Sequence, residues 1–365
     1  MRKTIMGLAA VVLAGSMLSG CGKTETTTAN ATANAGAPIS IDELQKSAKG
    51  EGSVVSVGMP DSWANWKDTW NDIQTKYSLK HTDTDMSSAE EIAKFDSEKD
   101  KPTADIGDVG MAFGPVAVDK GVTQPYKTSH WDEIPDWAKD KDGNWIVGYQ
   151  GTISILTNTK KVANPPKSFD DLLKGDYKIS VGDVSKAAQA QSAVLAAAIA
   201  FGGDETNIEP GIAFFEKLAK AGRLSKTELS LANLEKGEID VAFLWDFNAL
   251  GYRAQLGPDQ YAVTIPSEGS VVSGYATIIN KYAPHPNAAK LTREYILSDE
   301  GQINLAKGFA RPIRDSVKLP DDVAAKLLPT EDYKTAKPIK DFKAWEETSK
   351  QIPELWQERV LVHLN

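Results

Sequence analysis

Hydrophobic and polar positions along the chain combine a short β-rich run, a polar break and an amphipathic helix at four places in the body. The first run, Ser53 to Gly58, passes through Met59-Pro60-Asp61-Ser62 into a helix whose Trp63, Trp66, Trp70, Ile73 and Tyr77 share one face, with Asp61 or Ser62 as its N-cap. The second, Ala104 to Gly110, leads to a helix near Pro115-Val116-Ala117. Tyr177 to Val181 leads through Gly182-Asp183-Val184-Ser185 into an Ala-rich helix that stops at Gly202-Gly203. Last, a helix through Leu231 to Lys236 ends at Gly237, and Ile239 to Leu244 makes a strand that ends at Trp245-Asp246. This alternation predicts an α/β fold of mostly parallel sheets covered by helices on both faces. Ligands of such sheets gather beyond the carboxyl ends of the strands.

Two stretches have a different pattern. Trp145 to Thr157 and Val271 to Asn280 read as strands, the first unusually long, with Gly148, Gly151 and Gly274 inside them. Such strands suit crossings between two lobes, where the backbone has to bend. Two crossings would make each lobe discontinuous in sequence: residues 39–150 with 275–310 as one lobe, 151–274 as the other, and 311–365 as C-terminal helices packing on both.

The start of the chain reads differently again. Arg2 and Lys3 precede an apolar run from Ile5 to Leu18, and Leu18-Ser19-Gly20 precede Cys21, the single cysteine. The run is short for a membrane span and has the form of an export signal over residues 1–20. Leu-Ser-Gly-Cys resembles the lipobox of bacterial lipoproteins, in which the cysteine carries a diacylglycerol; Cys21 would then be the lipidation site and a membrane anchor. Residues 22–38 contain only Gly, Lys, Thr, Glu, Ala, Asn and Pro. They predict a flexible stalk spanning roughly 20–25 Å by coil scaling.

Composition narrows the function. The net charge of −9 and pI near 5.2 give no field that would attract nucleic acid. With Cys21 spent on a lipid, the body has no disulfide, no cysteine nucleophile and no thiolate metal site. The histidines at 81, 130, 285 and 363 form no metal-binding spacing, and no phosphate-binding glycine loop, dinucleotide fingerprint or Gly-x-Ser-x-Gly run occurs. A binding protein without cofactor or metal is expected, rather than an enzyme.

Lys236-Gly237-Glu238-Ile239-Asp240-Val241-Ala242, and Ser298-Asp299-Glu300-Gly301-Gln302 after an Asn287-Ala288-Ala289-Lys290 helix, complete a set that resembles the family 1 solute-binding proteins of bacterial ABC importers. The resemblance covers roughly Val54 to Arg314 and includes binders of polyamines, ferric ion, thiamine and phosphonates. It implies the two-lobed type II periplasmic-binding-protein fold, with a small-molecule solute held between closing lobes. It also implies ABC permease transmembrane subunits as partners, a monomer, and no role in nucleic-acid binding.

Candidate ligand contacts follow from the strand ends. Asp61 either caps a helix or faces the ligand, and Trp63 faces cleft or core; Trp66 and Trp70 continue the core stripe. Asp108 ends the second strand as a cleft carboxylate or a turn residue. Asp183, Ser185 and Lys186 open the Ala-rich helix, as caps or as an anion site. Tyr149 and Tyr275 sit on the crossings. Trp245 beside Asp246 would suit an ammonium group through cation–π attraction and a charge-assisted hydrogen bond. Against this, Arg311 and Arg253 would suit a phosphonate or phosphate ester, unless they form structural ion pairs. The paired tyrosines that ligate iron in ferric binders are absent. A polyamine-like cation is therefore expected first, a phosphonate, phosphate ester or ferric ion second. A ligand-sensing lipoprotein without transport is the other role these residues would fit.

Overall fold

The computed structural model describes residues 40–185 and 187–364; the segments expected to be an export signal and a stalk, with Cys21, and Lys186 lie outside the described residues. Ten strands are present among them: β1 (Ser53–Val57), β2 (Lys80–Thr84), β3 (Ile106–Gly110), β4 (Trp145–Asn158), β5 (Ile179–Ser180), β6 (Val241–Trp245), β7 (Tyr261–Thr264), β8 (Ser270–Ile279), β9 (Arg311–Pro312) and β10 (Ala336–Pro338). Their order is β2-β1-β3-β8-β4-β6-β5, with β10 beside β8 and β7 and β9 beside β4.

Two parallel groups, β2-β1-β3 and β6-β5, flank the antiparallel pair β8-β4. The two long strands join the groups: β8 pairs β3 on one side, and β4 pairs β6 on the other. β4 is buried over almost its full length, which explains a continuous apolar run rather than an alternating one. Its register slips between Val147 and Tyr149, a bulge at Gly148. Gly274 lies opposite Gln150, just past that bulge, and a Cβ there would strike the Tyr149 carbonyl. Close approach of two backbones, rather than bending alone, demands glycine at this crossing.

The helix after β1 begins later than the sequence pattern predicts. Ala64 and Asn65 take left-handed backbone at φ 46° and 58°, and the helix starts at Trp66. Asp61 and Ser62 therefore do not cap it, and no side chain does. The Asn65 amide holds the turn by donating to the Asn304 carbonyl and the Asp68 carboxylate. Trp63 is swung off the helix while Trp66 and Trp70 enter the core, at 0% and 4% exposure.

The segment after Ala310 adds strands as well as helices. β10 lies parallel to β8, and the helix Phe342–Arg359 follows it. Phe342 meets Trp145 edge-on at 5.7 Å, Trp356 packs on Phe215 at 5.1 Å, and Arg359 pairs with Glu209 and Glu216.

Candidate functional site

The carboxyl ends of β1, β3 and β6 open onto one cavity of about 620 Å³. On the first wall stand Trp63, Asp85, Ser87, Ser88, Glu91 and Asp108; on the second, Ser185, Gln189, Gln191, Trp245, Asn248 and Tyr252; Tyr275 lies between them on β8.

The first wall is a buried polar network. Tyr149 donates its hydroxyl to Asp108 Oδ2 at 2.8 Å and accepts from Trp63 Nε1 at 2.7 Å. Tyr149 and Tyr275 stack at 5.6 Å, and Trp63 stands edge-on to Tyr275 and Phe247 at 5.5 and 5.3 Å. Asp108 is 2% exposed and lines the cavity; its Oδ1 makes no close hydrogen bond, with the buried Trp66 indole as a loose donor to the carboxylate. Behind it Glu91, 1% exposed, accepts from the Asp108 backbone N–H through Oε2 at 3.0 Å. A Cβ on Gly58 or Gly107 would collide with the Glu91 carboxylate, so two glycines make room for one acid. Burial pushes the Asp108 carboxyl well above its ordinary range, against the pull of the Tyr149 hydrogen bond. Glu91 is raised likewise, by burial first and then by Asp108, with Asp83 and Asp85 adding to it. Both acids are thus biased toward their neutral forms.

The second wall is neutral and largely satisfied. Gln189 Oε1 accepts from the Trp245 backbone N–H at 3.0 Å and from the Asn248 amide at 3.4 Å. Ser185, exposed, donates its N–H and hydroxyl to Asp183 Oδ1 at 2.9 and 2.6 Å. Trp245 is 4% exposed, and its buried Nε1 makes no close hydrogen bond, with Tyr275 as its loose partner.

The cavity brings Trp63, Asp108, Ser185, Trp245 and Tyr275 together, with Tyr149 supporting Asp108 from behind. Four expected contacts lie elsewhere. Asp246 is 1% exposed and opens the helix Asp246–Leu256 that follows β6, with its carboxylate turned to β4 and the C-terminal segment rather than to the cavity. Its Oδ1 accepts from the Thr152 N–H at 2.8 Å and its Oδ2 from the Tyr333 hydroxyl at 2.5 Å. Burial raises its pKa, and those two hydrogen bonds oppose the rise. Arg311 lies over the Tyr333 ring at 4.2 Å and donates to the Leu328 carbonyl, so it belongs to that cluster. Asp61 is exposed on the turn and does not line the cavity. Arg253 is half-buried on the helix after β6 and does not line it either.

Glu91 escaped the sequence reading. It lies on the apolar face of the helix Ser88–Ser97 with Ile92 and Phe95, and an acid at i with Phe at i+4 was its only signal. Among the described residues no group of three His, Cys, Asp or Glu is arranged to hold a metal ion.

Residues 101–341 match the family model of the bacterial extracellular solute-binding proteins. The chain belongs to that family. It is 30% identical over 275 residues to an uncharacterised protein of Haemophilus influenzae, covering 70% of this chain and 74% of that one. It is 24% identical over 312 residues to a Salmonella typhimurium protein named provisionally as a 2-aminoethylphosphonate-binding periplasmic protein, covering 78% and 86%. The periplasmic binding protein AfuA of Actinobacillus pleuropneumoniae, solved with fructose-6-phosphate, superposes with a TM-score of 0.67 at 19% identity, over 85% of this chain and 98% of that one. The fold is the two-lobed type II periplasmic-binding-protein fold, and the family binds solutes rather than transforming them.

Proposed function

We propose that this solute-binding protein captures a small organic cation between its lobes and delivers it to the transmembrane subunits of an ABC permease. One observation carries the reading: the cavity is lined by Asp85, Glu91 and Asp108 and, among its described lining residues, by no Lys, Arg or His. A cation would ionise the buried carboxyls and give Asp108 Oδ1 the close, charged partner it does not have, and aromatic faces at Trp63, Trp245 and Tyr275 would add cation–π attraction. Closure would exclude water and strengthen each of these contacts.

The same proposal includes the lobe division at residues 39–150 with 275–310 and 151–274, hinged at the bulge beside Gly148. It includes lipid anchoring through Cys21 after removal of residues 1–20, on the outer face of the cytoplasmic membrane, and action as a monomer. Cys21→Ala should abolish the lipid-bearing species in detergent partitioning.

A second reading has specific support. Ser62, Ser87, Ser88 and Ser185 place four hydroxyls in the cavity, and the helix Ala188–Ala200 begins on its second wall. An aminophosphonate, the ligand class named for the Salmonella typhimurium relative, could set its amine against the acids and its phosphonate against the serines. Mass spectrometry of ligand carried through native purification, followed by titration with putrescine, spermidine, thiamine and 2-aminoethylphosphonate, separates the two. Tight binding of an amine-free anion, undiminished in Asp108→Asn, would end both readings.

A further inference from the structure

We infer that the solute is an amphipathic cation whose charged end meets the acidic wall and whose apolar body enters a second compartment walled by the C-terminal helix. This rests on the acidic-cleft reading above and extends it. A cavity of about 380 Å³ adjoins the first one and shares Phe113, Ser185, Ala188, Gln191, Trp245 and Tyr275 with it. The two are therefore compartments of one cleft.

Their chemistry differs. The second compartment is closed by Met111 and Val116 on one side and by Trp345, Ser349 and Pro353 of the helix Phe342–Arg359 on the other. Among its described lining residues the only charged ones are Glu346 and Lys350, which pair with each other at 2.6 Å and together carry no net charge for an ammonium to seek. An ion entering the cleft is thus directed to Asp108, and what remains of the ligand is directed to apolar surface. Its volume sits near the lower end of the ~300–1,000 Å³ typical of small-molecule sites, suited to one ring system or a short alkyl chain. At the junction stand Trp245 and Tyr275, both shared by the two compartments, with the Trp245 indole N–H turned toward the Tyr275 hydroxyl.

The wall is fixed, which makes it a selector rather than a loose cover. Phe342 is seated on Trp145 at one end of the helix, and Arg359 is paired with Glu209 and Glu216 at the other. Ser349 can be enlarged with little cost, because its hydroxyl donates only to the Glu346 carbonyl of its own helix.

The test is calorimetric titration of the full chain with tryptamine and putrescine, comparing wild type with Ser349→Phe and with Val116→Phe, which fill the compartment from opposite walls. The ratio of tryptamine to putrescine affinity should fall about tenfold or more in each variant, since burying even part of an aromatic ring is worth that much. Circular dichroism confirms that each variant is folded, and the second guards against local distortion by the first. If both folded variants keep the wild-type ratio, the second compartment is not part of the site and the inference is overturned. If neither amine binds wild type, the acidic-cleft reading fails, and this inference falls with it. If putrescine binds and tryptamine does not, only the present inference is lost.

Discussion

Asp108 and Asp246 look equivalent along the chain, each an acid at the end of a parallel-type strand, yet they occupy opposite kinds of site. Both are almost wholly buried. Asp246 has each oxygen matched, one to the Thr152 N–H and one to the Tyr333 hydroxyl, and it ties the C-terminal segment to β4. Asp108 has Oδ2 matched by Tyr149, while Oδ1 makes no close hydrogen bond and has only the Trp66 indole as a loose donor, and the group lines a cavity. A satisfied buried acid is structural. One held desolvated with an oxygen lacking a close partner costs stability, and that cost is recovered only when a ligand supplies that partner.

The largest effect should come from breaking the satisfied acid. Asp246→Ala leaves the Thr152 N–H and the Tyr333 hydroxyl unpartnered, at about 1–3 kcal/mol each, so chemical denaturation should show a loss of roughly 2–6 kcal/mol. An unchanged denaturation midpoint would contradict the structural role. Asp108→Asn should do the reverse: stability held or improved, and cation affinity reduced about tenfold to a hundredfold, the worth of one charge-assisted hydrogen bond. Equal loss of stability in the two variants would erase the distinction between the sites.

Protonation sharpens the comparison. Glu91 and Asp108 have folded-state pKa values raised above their unfolded ones, so the folded state binds their protons more tightly. Their contribution to stability is fully present below the ordinary carboxylate range and is lost as pH rises through the folded values. Wild type should therefore lose more stability than Glu91→Gln between pH 4 and pH 8, and a parallel pair of curves would refute this. Cation affinity should rise over the same interval as the acids ionise, with protons released on binding, detectable as buffer-dependent calorimetric heats. The smallest effect belongs to Asp61→Asn, an exposed turn residue outside the cavity. It should change stability and affinity by less than about 0.5 kcal/mol.

Much of this was legible without coordinates. Hydrophobic periodicity located β1, β3, β4, β6, β8 and the Ala-rich helix because burial of one strand or helix face leaves a period in the sequence. The placement of Trp66 and Trp70 in the core followed from the same stripe. The start of their helix did not, because left-handed backbone at Ala64 and Asn65 is held by Asn304, 239 residues away from Asn65.

The sequence by itself determined the principal strands and the Ala-rich helix, their order, the family and the acid-rich character of the body, since each depends on local pattern or composition; β2, β7, β9 and β10, short or edge strands, left no such pattern. Only the tertiary structure decided which acids share a cavity. It moved Asp246 and Arg311 into a cluster with Tyr333, brought Glu91 to Asp108 through the space left by two glycines, and set the C-terminal helix beside the cleft. Those outcomes turn on which way a side chain leaves a strand end and on what a distant segment places opposite it. Neither quantity has a period along the chain, and both depend on contacts that exist only once the sheet has closed around β4 and β8.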